Sequence, residues 1–79
     1  MKRVELGKIL ANIPMLVSDI SFNLMGEMGK VPRFSSVFKR VKEELKYDGI
    51  DWKNLNESDR NEIQEMARDA FEGIRDAGF

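Results

Sequence analysis

The chain predicts an all-α domain, a small bundle of three or four helices. Three observations lead there. Apolar residues recur at spacings of three and four along most of the 79 residues, which lines them up on helix faces. Glycine, proline and an Asp-Gly pair fall where those patterns stop. The flanks of that pair, Glu43–Tyr47 and Ile50–Asn54, do not alternate apolar and polar residues well enough to form strands.

The first pattern starts at Leu6 and continues through Leu10, Ile13, Val17, Ile20 and Leu24, with Ile9, Leu16 and Phe22 widening the face. Pro14 interrupts it, because proline lacks an N–H and disfavours helical geometry at Ile13. Two readings fit: a single helix kinked at Pro14, or a short helix and a second one from about Met15. The break is the expectation, with Pro14 in the first turn of the second helix, where its missing donor is not needed. Gly26 or Gly29 supplies a left-handed stop, and Pro32 ends any continuation.

Ser35 or Ser36 is the expected cap of the next helix, whose apolar positions are Val37, Phe38, Val41 and Leu45. Asp48-Gly49 ends it. The same pair can turn a hairpin, but its flanks do not alternate. The connector from Ile50 to Leu55 should plug the core with its apolar members. Asn56 is the expected cap of the last helix, with Glu57 and Asp59 complementing its dipole. Ile63, Met66, Ala67, Ala70, Phe71 and Ile74 form its stripe, and Gly78 is its stop. Gly73, inside that helix, costs about 1 kcal/mol relative to alanine. Either another backbone packs closely there or the helix end frays.

Size and composition bound the chemistry. One domain covering residues 1–79 is expected, burying only roughly 60–65% of the surface its unfolded chain exposes. There is no cysteine and no histidine, so thiolate zinc sites, cysteine nucleophiles and the commonest general base are not available. Tyr47-Asp-Gly-Ile-Asp51 has the look of part of an EF-hand loop, but Glu44 and Lys46 occupy its early ligand positions and no glutamate closes it. Glu62, Glu65 and Asp69 could pair for acid–base work only if burial separated them, and they lie opposite the apolar stripe. Catalysis, metals and cofactors are therefore not expected.

The stretch from Ile9 to Ser18, uncharged and preceded by Lys2, Arg3 and Lys8, is the one segment to weigh as a leader or membrane span. Its about ten uncharged residues fall short of the roughly twenty a bilayer requires, and a cytoplasmic protein without membrane contact is expected. Net charge is −1 but uneven. Residues 1–46 carry nine Lys/Arg against five Asp/Glu, and residues 47–79 carry four against nine. Opposed halves of this kind attract each other in a fold or simply solvate it.

Two surfaces are candidates for binding. Lys30, Arg33, Lys39, Arg40, Lys42 and Lys46, with Phe34 and Phe38 between them, could contact nucleic-acid phosphates. Glu43, Glu44 and the low pI of about 5.4 weigh against this, and the two phenylalanines sit at core spacing. Met15, Leu16, Ile20, Leu24, Met25 and Met28 form the second candidate, for a protein partner. Methionine suits adaptable binding surfaces and also fills gaps in small cores. The stretch from Ile9 to Val17 is too apolar for so small a monomer to bury on all sides, which favours a partner helix or a homo-oligomer.

Trp52-Lys-Asn-Leu55, followed by Asp59-Arg60 and by Ile63, Ala67 and Ala70, resembles the C-terminal pattern of small helical proteins from bacteriophages and mobile elements. The resemblance covers about residues 34–74. It implies that Trp52 and Leu55 pack under the last helix and that the alanines permit close approach, and it implies no catalytic residue. The functional expectation is a non-enzymatic protein-interaction module. If phage-encoded, it would be an accessory protein in the host cytoplasm that binds and inhibits a host protein. The alternative is a small nucleic-acid-binding or transcription-regulatory protein using the basic face.

Overall fold

The computed structural model describes residues 2–78 and is all-α. Helix α1 spans Arg3–Met28, α2 spans Phe34–Tyr47 and α3 spans Glu57–Gly78, with one 3-10 turn, Trp52–Asn54, before α3. Arg3 and Glu62 form an ion pair at 3.0 Å, so the first turn of α1 meets the second turn of α3 at one end. At the other end Arg40 pairs with Glu27, and Phe34 packs on Phe71. α1 and α3 are therefore parallel, and α2 runs back between their ends. The longest dimension is 38 Å, which is the roughly 39 Å that a 26-residue helix covers.

α1 runs unbroken through Pro14, so the expected break is corrected. Proline inside a helix costs about 3 kcal/mol and frees the carbonyl four residues back, here that of Leu10. Pro14 lies on the exposed side, while Leu6, Ile13, Val17, Ile20 and Leu24 are buried on both sides of it along one continuous row. Breaking the helix would put half of that row out of phase, and burying one such side chain contributes about 1.5–3 kcal/mol. Packing outweighs the proline. By length and composition alone α1 would suffice to cross a membrane, with a third of its most apolar stretch buried in the fold.

The core joins that row to Val37, Phe38, Val41 and Leu45 of α2, to Leu55, and to Ile63, Ala67 and Phe71 of α3. α1 packs most extensively on α3, less on α2, and α2 and α3 share least. Phe22, expected to widen the core face, is instead 54% exposed, because it lies nearly opposite Leu24 around the helix.

The ends follow local chemistry. Gly29, at φ 68°, is the left-handed residue after α1, and its N–H donates to the Met25 carbonyl at 2.9 Å. Gly49, at φ 86°, plays that part after α2, and the Ile50 N–H donates back to the Leu45 carbonyl at 2.8 Å. Asn56 caps α3 as expected, its Oδ1 accepting from the Asp59 N–H at 2.8 Å. Neither Ser35 nor Ser36 caps α2. The helix starts at Phe34 behind Arg33, with no side-chain cap, because Phe34 stacks one turn ahead on Phe38 at 5.4 Å. Nothing packs within 4 Å of where a Gly73 side chain would begin, which disposes of the close-backbone explanation for that residue.

Two changes should stabilise the fold in urea denaturation. Ser21 is fully buried on α1 and its hydroxyl has no hydrogen-bond partner among the described residues. Ser21→Ala removes that desolvated group at nearly constant shape and should raise stability by about 1 kcal/mol. Gly73→Ala should add up to about 1 kcal/mol through helix propensity alone. A fall in the urea midpoint for either variant would contradict these assignments.

Candidate functional site

The outer side of α1 carries three large exposed apolar residues, and α2 carries one at its end, Tyr47. Val4 is 71% exposed, Met15 64% and Phe22 54%. They are spaced eleven and then seven residues apart, close to three and two whole turns, and so align within about 20° over roughly 27 Å. Between them on the same side lie Lys8, Ala11 and Ser18, with Asn12 and Asp19 along one edge. The result is a narrow apolar strip with small residues between large ones and one charge of each sign.

This strip is not the set of residues that the sequence suggested. Ile20 and Leu24, proposed as partner contacts, belong to the core and present almost no surface. Leu16 is half-buried against that core, and Met25 is half-buried near the end of the helix. Met28 is 43% exposed but lies about 120° around the helix from Phe22. Of the six residues only Met15 stands on the outer strip. Val4 and Phe22 were missed because they belong to a second row, set opposite the first, and a search for a single face merges Phe22 into the core.

The basic residues are likewise divided. Lys39, Lys42 and Lys46 fall on one side of α2, where Lys53 from the 3-10 turn joins them around half-buried Trp52 in a shallow cleft of about 270 Å3. Glu43 and Asp51 line the same cleft. Arg40 points elsewhere, its guanidinium donating to both carboxylate oxygens of Glu27 on α1, at 2.8 and 3.4 Å. Lys30 and Arg33 are exposed in the connection between α1 and α2. Lys53 is the member that the sequence did not supply, because it reaches the cleft only through the fold.

Aromatic contacts run from α3 to that cleft. Phe71 meets Phe34 at 5.7 Å, Phe34 stacks on Phe38, and Phe38 meets the edge of Trp52 at 5.2 Å. Trp52 therefore anchors on α2 rather than under α3, while Leu55 is buried in the core as expected. The Lys42 ammonium sits 5.3 Å from the Phe38 ring and 6.0 Å from Trp52, and the Arg68 guanidinium 4.5 Å from Phe34. Such cation–ring contacts contribute about 0.5–1 kcal/mol at exposed sites. They hold two of the cations in place as structural groups.

On α3, Glu62 is engaged by Arg3, and Glu65 and Asp69 are exposed. Among the described residues no group of three or more acidic side chains is placed to hold a metal ion. Comparison of the chain with protein-family models, curated proteins and solved structures finds no match in any of the three.

Proposed function

We propose that this protein is a non-enzymatic interaction module that binds another protein through the outer strip of α1. The observation that carries the reading is the alignment of exposed Val4, Met15 and Phe22 along one side of α1. Exposed apolar residues scattered singly are ordinary, but a row of large ones along one helix is a surface suited to a second helix. Met28, the last residue of α1, and Val31 beyond it, 43% and 45% exposed, add apolar surface near that end of the helix. An accessory protein of the kind that the Trp52–Ala70 pattern resembles would use such a strip to cover, and so inhibit, a host protein.

A second reading, nucleic-acid binding, has the grouping of Lys39, Lys42, Lys46 and Lys53 around Trp52 in its favour. Lysines beside a partly accessible ring suit phosphates and stacked bases. The two acids in the cleft and the overall negative charge weigh against it.

The readings separate in solution. Met15→Glu should abolish capture of a specific protein partner while leaving helicity by circular dichroism unchanged, since Met15 lies outside the core. Retained capture would remove the α1 strip as the contact. In the second reading, binding to single-stranded or duplex DNA should weaken steeply with salt, and the slope should fall when Lys39, Lys42 and Lys46 are changed to Glu. Absence of DNA binding at 50 mM salt would eliminate it.

A further inference from the structure

We propose that the outer strip of α1 pairs, antiparallel, with the same strip of a second copy of this chain. The inference rests on the reading of that strip as a protein contact and names its occupant. Val4, Lys8, Ala11, Met15, Ser18 and Phe22 alternate at spacings of four and three, the seam spacing of a two-helix coiled coil. α1 thus carries two such rows, one turned into the core and one turned out.

What the outer row fits is decided by its order of sizes and charges. Laid antiparallel about a twofold axis near residue 13, Phe22 faces the second copy's Val4 and Met15 faces its Ala11. Each large side chain then sits over a smaller one. Lys8 faces the second copy's Ser18 and lies one residue from its Asp19, and the symmetry makes this ion pair twice. Lys8 and Asp19 are both exposed, and neither has an ion-pair partner among the described residues. A parallel pairing would instead set Phe22 on Phe22, Met15 on Met15 and Lys8 beside Lys8. Helix dipoles also favour the antiparallel arrangement. Lys8, Asn12 and Asp19 make the strip a poor fit to lipid, where each polar group needs a partner.

Sedimentation equilibrium of the full chain tests the pairing. The mass should rise with concentration from 9.1 kDa to twice that value. Met15→Glu should hold it at the lower value with unchanged helicity. Lys8→Asp or Asp19→Lys alone should weaken dimerisation about tenfold, and the double charge swap should restore it. Because the chain has no cysteine, orientation can be read by cross-linking. Val4→Cys mixed with Phe22→Cys should form disulfide-linked dimers on oxidation. Val4→Cys alone should not, its counterparts lying roughly 27 Å apart. A monomer at all concentrations up to 0.5 mM would overturn the proposal, as would self-linking of Val4→Cys. So would binding to phosphatidylcholine–phosphatidylglycerol vesicles that is lost in Met15→Glu. A monomer whose capture of another protein still depends on Met15 overturns self-pairing alone. A monomer with no such dependence overturns the contact strip as well.

Discussion

The packing of one row on α1, Leu6 through Leu24, against α3 and α2 is the constraint on which the rest of the fold depends. It holds α1 together across Pro14 and sets the length of the molecule. It also decides which side of α1 is left for solvent. Ser21 on α1 and Ala67 on α3 are fully buried within this packing, so each backbone comes close to a neighbouring element. Because α1 and α3 are parallel, the chain needs a return element between them, and α2 supplies it.

α2 is attached differently from the other two. It shares little surface with α3, and much of what they share is aromatic. Phe34 serves three ends at once: it opens the helix, stacks on Phe38 and reaches Phe71. Contact between aromatic rings adds about 0.5–1.5 kcal/mol per pair beyond the area buried. In a domain this small, where total stability is a few kcal/mol, a short chain of such pairs is a substantial share.

The Asn56 cap, the Gly49 stop and nearly all core positions were legible because each depends on neighbours within one or two turns. Gly29 was one of two candidates, and the structure selects it. The misreadings share another cause, tertiary contact outweighing local preference. Pro14 argued for a break until the core row on both sides of it is counted. Ser35 and Ser36 were better caps in isolation than Arg33, but stacking of Phe34 on Phe38 draws the helix start earlier. Ile20 and Leu24 read equally well as core or contact, and only burial decides between them. Lys53 joined the basic cleft through a turn whose direction no local pattern states. That turn is held by the Asp51 carboxylate, which accepts from the Lys53 N–H at 3.1 Å.

The edge-on seat of Trp52 against Phe38 has a spectroscopic meaning. Trp52 is the chain's one tryptophan, and its ring touches α2, the element most loosely tied to α3. Its fluorescence is therefore a local gauge of whether α2 is seated. Backbone ellipticity, by contrast, is dominated by the longer α1 and α3. One native chromophore and one bulk signal thus view different parts of the same 79 residues, and their coincidence on unfolding measures how cooperatively the bundle is built.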